Sequence, residues 1–184
     1  CAYYDHTCDS HSLFDKYEIS KDETYEENIN KYQVLCLDMT QILEEAKNNS
    51  IVALIEAKVT DELKAAYPEL PIDSSFSSTL LNAVNYTGMK FVTVIDEWDA
   101  PIRERPDEVK TYLLLLRSLF KSLNTTDKTF AAVYMTGILP IKKDGSQSAI
   151  SDFDEFSIIE PDVFAQYTGF LEEDVHKICD KYHA

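Results

Sequence analysis

Apolar positions along the chain fall into two kinds of run, and their alternation sets the expected architecture. Three runs are continuous: Gln33-Val-Leu-Cys-Leu-Asp-Met39, Phe91-Val-Thr-Val-Ile95 and Phe130-Ala-Ala-Val-Tyr-Met-Thr-Gly137. Unbroken runs of this length, ended by acids or by a small polar pair, predict strands buried on both faces. A shorter fourth strand is expected over Phe156-Ser-Ile-Ile159, closed by Pro161. Between the strands the period changes. Val52, Ile55, Val59, Leu63 and Ala66 recur three or four apart, giving a helix over 41–67 that Thr40 is placed to cap. A helix over 77–86 follows the polar link Ser74–Ser78, and Gly88 is placed to end it in a left-handed conformation. Asp107 is read as the cap of a further helix, with Val109, Leu113, Leu116, Leu119 or Phe120, and Leu123 on its core stripe. Residues 1–16 read as the tail of a helix, a loop and a short turn, residues 17–31 as a loop and a short helix, and a last helix opens near Phe170 behind Glu172, Glu173 and Asp174. Apolar strands alternating with helices predict an α/β layered sheet.

The central run carries the candidate chemistry. Phe91–Ile95 ends in three acids within four positions, Asp96, Glu97 and Asp99, and Pro101 keeps the strand from extending. Carboxylates at the end of a buried parallel strand stand at the rim where open α/β sheets bind ligands. Four apolar residues followed by Asp-Glu form the Walker B pattern, in which the Asp helps hold Mg²⁺ and the Glu orients or deprotonates water. The plainer alternative is an acidic solvated turn, in a chain with 33 acids. Thr136-Gly137 ends the next strand and would set a hydroxyl beside those acids, with a glycine that lets backbone approach phosphate. Arg103 and Arg105 read as surface partners of neighbouring acids, with anion binding as the alternative. Lys142–Ser148 reads as a phosphate-tolerant loop without the Gly-Lys-Ser/Thr order.

Charge narrows the partners. With 17 basic and 33 acidic residues, a net charge of −16 argues against a nucleic-acid surface or docking on anionic lipid. No apolar run approaches the ~20 residues of a membrane-spanning helix. Four scattered cysteines, Cys1, Cys8, Cys36 and Cys179, read as reduced thiols of a cytoplasmic protein. Cys1, His6, Cys8 and His11 are too compressed for the usual zinc spacing. A metal-dependent nuclease built on Asp38, Glu56 and Lys58 is a further alternative. It needs Glu56 and Lys58 on one face of a strand, whereas their surroundings have the helical period.

Several stretches together resemble the predicted AAA-ATPase-like family of bacterial P-loop proteins. They are Ala2-Tyr-Tyr-Asp5, Leu13-Phe-Asp15, Tyr32–Met39, Val94-Ile-Asp-Glu-Trp-Asp-Ala-Pro-Ile102, Thr136–Ala149, Phe153–Phe156 and Thr168–Val175. The resemblance implies a P-loop NTPase-like (AAA/ASCE-type) parallel sheet flanked by helices. It implies Asp96 on the Mg²⁺ side, Glu97 as catalytic base and Thr136, with Gly137, at the nucleotide; Asp99 fits the motif without an assigned role. Family members carry a Gly-rich Lys-Ser loop just upstream of the Ala-Tyr-Tyr-Asp segment. Here the only glycines are Gly88, Gly137, Gly145 and Gly169, and none precedes a lysine. With no initiator Met before Cys1 and a helical pattern running to Ala184, both ends are read as cut. The expectation is a truncated core over 1–168 lacking its first strand and P-loop, then the start of a helical segment over 169–184. ATP and Mg²⁺ are cofactors expected of the parent, with none held tightly by this piece. A nuclease domain downstream is a further implication, and a non-catalytic interaction scaffold is the competing function.

Overall fold

The computed structural model describes residues 1–122, 125–139, 153–157, 159–160, 162–165, 167 and 170–183. The chain divides into two compact units, Cys1–Ser151 and Asp152–Ala184.

In the first unit, two one-turn helices, α1 (His11–Phe14) and α2 (Tyr25–Asn28), precede the sheet. The three continuous runs form its strands: β1 (Gln33–Asp38), β2 (Phe91–Asp96) and β3 (Phe130–Met135). They lie in sequence order and pair in parallel, with Asp38 opposite Asp96 and Ile95 opposite Met135. Parallel neighbours need crossovers, and crossovers are right-handed, so two successive ones in the same direction put their helices on one side. The first crossover contains α3 (Met39–Ala46), α4 (Ile51–Ala66) and α5 (Phe76–Thr87). The second contains α6 (Ala100–Glu104), α7 (Val109–Phe120) and α8 (Thr126–Thr129). As that rule requires, α3 packs on α4 and α6 and touches β1 and β2, while α4 also packs on α5 and α7.

One-sided cover corrects the expectation of strands buried on both faces. Only β2 comes close to it. In β1, Leu35 and Leu37 are buried while Cys36 is exposed, the alternation of a strand covered on one face. In β3, Phe130 is buried, but Ala131 and Ala132 are exposed and Tyr134 is 56% exposed. Register places Cys36, Val94 and Tyr134 side by side on the face away from the helices.

Local chemistry explains the other departures. The helix expected over 41–67 is two helices, broken where Lys47 takes φ +53°. Asp38, not Thr40, caps α3, its carboxylate accepting the Gln41 N–H at 3.0 Å. Ser50 restarts the chain as α4, whose Ile51, Ile55, Val59 and Leu63 are buried. Gly88 ends α5 at φ +74°, as expected. Pro101 ends the strand, as expected, and sits in the first turn of α6, where its missing N–H costs nothing. Glu108, not Asp107, is the cap residue of α7, and its carboxylate accepts the Ile51 N–H at 2.8 Å, joining the starts of α7 and α4. The buried stripe of α7 is Tyr112, Leu115, Leu116, Leu119 and Phe120; Leu116, Leu119 and Phe120 lie where expected, while Tyr112 and Leu115 are buried in place of Val109 and Leu113, and Leu123 lies outside the described residues.

In the second unit, α9 (Glu172–Tyr182) forms near the expected place, with the Asp174 carboxylate accepting the Leu171 N–H at 3.2 Å. The predicted strand over 156–159 does not form over its described residues. Ser157 N–H bonds to Glu160 O and Glu160 N–H to Ser157 Oγ, closing a turn instead. Ile158 and Pro161, like the 142–148 loop, lie outside the described residues. No helix among the described residues is long and apolar enough to cross a membrane.

Candidate active site

The strongest convergence of polar groups lies where β2 and β3 end. The ladder extends one step beyond the strands: Thr136 N–H donates to Ile95 O and Trp98 N–H to Thr136 O, both at 2.9 Å. Between these bonds the chain turns at Glu97, whose φ of +53° is left-handed. A non-glycine residue in that region carries a backbone cost of order 1 kcal/mol or more, and such residues gather at functional sites. The turn brings the Glu97 N–H back onto the Asp96 carboxylate.

Asp96, Glu97, Thr136 and Gly137, the four residues singled out from the sequence, are therefore brought together. The Thr136 hydroxyl donates to Asp96 Oδ1. Glu97 N–H lies 3.2 Å from the same oxygen and 3.4 Å from Thr136 Oγ1. Asp96 Oδ2 has no hydrogen-bond partner among the described residues, and the residue is exposed. It remains available to a cation or to a cation's water. Gly137 is required by packing: a Cβ there would stand 2.4 Å from Asp99 Oδ1 and under 3 Å from the Trp98 indole. The close approach this glycine makes is to Trp98 and Asp99.

Sequence reasoning left Asp99 and Arg103 without a place in the site. Asp99 is fully buried, and Arg103 Nε donates to its Oδ2 at 3.0 Å. Ile138 N–H reaches Oδ1 at 3.3 Å and Leu139 N–H reaches Oδ2 at 3.2 Å. The other arm of the guanidinium, Nη2, donates to Glu97 Oε2 at 2.7 Å. The spacing of Asp99 and Arg103, four apart across a helix start, was the available signal. Arg105 behaves as the surface partner it was read to be, pairing with Asp107 and Glu108. Beneath the turn, Tyr112 Oη donates to Trp98 O at 2.9 Å. Burial, and then the nearby Asp99 charge, push the Tyr112 phenol well above its ordinary range, so it stays a donor.

The residues of the nuclease alternative are not arranged for that chemistry. Asp38 caps α3, while Glu56 and Lys58 lie on α4, where two positions are ~200° apart. Lys58 pairs with Glu45. His6 Nε2 lies 3.1 Å from Tyr67 Oη and His11 Nδ1 lies 3.1 Å from Asp15. Among the described residues, no group of three or more His, Cys, Asp or Glu is arranged to hold a metal.

A family model described as predicted AAA-ATPase matches residues 1–146. The chain belongs to the predicted AAA-ATPase family. That span contains all three strands and the whole Asp96–Leu139 constellation of this AAA-ATPase-like chain. No curated protein and no solved structure matches it.

Proposed function

We propose that residues 1–146 carry the Walker B and sensor-like half of an ATP-hydrolysing site. The observation that carries this reading is the Thr136 hydroxyl on Asp96 across the carboxyl ends of adjacent parallel strands, with Glu97 at the turn beside them. Asp96 is the Mg²⁺-side carboxylate. One oxygen is fixed by Thr136 and the Glu97 N–H, and the other is left for the ion or its water, which suits a cation that keeps its waters and takes one or two carboxylates. When bound, Mg²⁺ would neutralise charge on the phosphates. Glu97 orients the attacking water and accepts its proton. Thr136 holds Asp96 and reports across the strand boundary on what occupies the site.

The phosphate cradle is not among these 184 residues, since no glycine precedes a lysine. The outer edge of β3 has no strand partner among the described residues, and an unpaired backbone edge suits a strand arriving from a segment that supplies such a loop. The four free thiols accord with a cytoplasmic setting. Residues 1–184 alone should therefore bind ATP weakly. Micromolar, Mg²⁺-dependent binding by calorimetry would contradict this. In the full-length gene product, Glu97→Gln should abolish hydrolysis and spare nucleotide binding. The exposed β3 edge also favours a second reading, a protein-binding scaffold, which gains if the full-length protein proves inert toward ATP.

A further inference from the structure

A second carboxylate at this end of the sheet takes no part in holding the cation or activating water. Asp99 is fully buried, and a buried charge is costly unless its oxygens are filled. Both are: Oδ1 by the Ile138 N–H, Oδ2 by the Leu139 N–H and by Arg103 Nε. The same guanidinium reaches Glu97 with its other arm. One planar fork thus joins a fixed, buried anion to the carboxylate at an exposed, left-handed turn. Only arginine has the two rigidly related donors this requires; a lysine ammonium is a point charge without that fork geometry.

We propose that Arg103, anchored by Asp99, is the positioning residue of Glu97, and that Asp99 couples Glu97 to the segment Gly137–Leu139. The role rests on the ATPase reading of the site. Two backbone amides of that segment end on Asp99, so a shift of 137–139 moves the anchor, and the anchor moves the fork. Gly137 belongs to the same device, because any side chain there would displace Asp99.

The test uses the full-length gene product, with hydrolysis and nucleotide affinity measured separately. Arg103→Met should lower kcat about 10- to 100-fold, the scale of an ångström-sized misplacement of a reacting group, with the nucleotide Kd changed less than about threefold. Arg103→Lys should recover part of the loss. In a Glu97→Asp background, whose shorter carboxylate is withdrawn from the guanidinium and leaves a measurable residual rate, Arg103→Met should remove far less than it does from the wild type, because a residue acting through another is not additive with it. Losses that multiply in the double variant, or affinity that falls along with kcat, would overturn the role. A second readout does not depend on turnover: the Arg103 Nε–H should exchange slowly with solvent by NMR, and Asp99→Asn should speed it at least about tenfold. A wild-type protein that hydrolyses ATP while this proton exchanges as in a free guanidinium defeats the positioning role alone. A wild-type protein with a protected Arg103 and no hydrolysis defeats the ATPase reading and the role with it.

Discussion

β1 and β2 end alike in sequence and differently in structure. Each is an apolar run closed by an aspartate, and the two aspartates are paired in register. At β1 the helix begins at once, so Asp38 is taken up by the Gln41 N–H as the cap of α3. At β2 the chain first makes the left-handed turn at Glu97, and Asp96 is left facing Thr136 of the next strand. The conformation of the residues just after each strand decides whether its terminal carboxylate caps a helix or meets the hydroxyl of the neighbouring strand. Asp99 completes the contrast: just after β2 a buried carboxylate takes the Arg103 Nε–H and the Ile138 and Leu139 N–H groups, whereas after β1 the helix starts directly on Asp38.

The largest expected effect removes that anchor. Asp99→Ala leaves Arg103 and two amides without their acceptor and should cost about 3–5 kcal/mol of stability by denaturant titration. A loss under about 1 kcal/mol would mean the buried carboxylate is not holding the turn. Next comes the direct comparison. Asp96→Ala should lower hydrolysis by the full-length protein by about 100-fold or more, equivalent to about 2.7 kcal/mol. Asp38→Ala should leave hydrolysis within about threefold and cost about 1 kcal/mol of stability as a lost cap. If the two variants behave alike in either assay, the distinction between the strand ends fails. A smaller effect comes from inside β2. Thr93 is fully buried and its hydroxyl has no partner among the described residues. Thr93→Val should raise stability by about 1 kcal/mol, and a loss would show that the hydroxyl is satisfied after all.

The smallest effect concerns a carboxylate away from both strand ends. The Tyr25 hydroxyl, followed by His11, holds Asp15 below its ordinary range. A carboxyl depressed in the folded state adds stability above its unfolded value of about 3.9, and that stability is lost as pH falls through the folded value. The cost of Asp15→Asn should therefore be present at neutral pH and vanish in acid. A cost that persists in acid would assign it to shape rather than charge.

The three strands of the sheet, though not the fourth expected over 156–159, and the meeting of Asp96 with Thr136 were legible because they depend on local pattern: continuous apolar runs, an acid pair, a hydroxyl before a glycine. Gly88 was legible for the same reason, since one residue carries the whole requirement. The break at Lys47 was not, because the apolar period continues through it while the backbone does not. Nor were the bare faces of β1 and β3. An unbroken apolar run reads as two-sided burial, and only the order of the strands reveals that both crossovers cover the same side. Arg103 was read as a partner for nearby acids; that one of those acids is buried and the other stands at the turn depends on how α6 packs on α3 and α7.

Trp98 is the chain's one tryptophan, buried against Gly137 at the centre of the constellation. Its emission should be that of an indole shielded from water, and light absorbed at the red edge, clear of the tyrosines, is emitted from beside Asp99. The site carries its own optical probe. Nucleotide titrations, the Asp99 and Gly137 variants and the arrival of a strand at the β3 edge can each be followed by this intrinsic fluorescence, with no label attached.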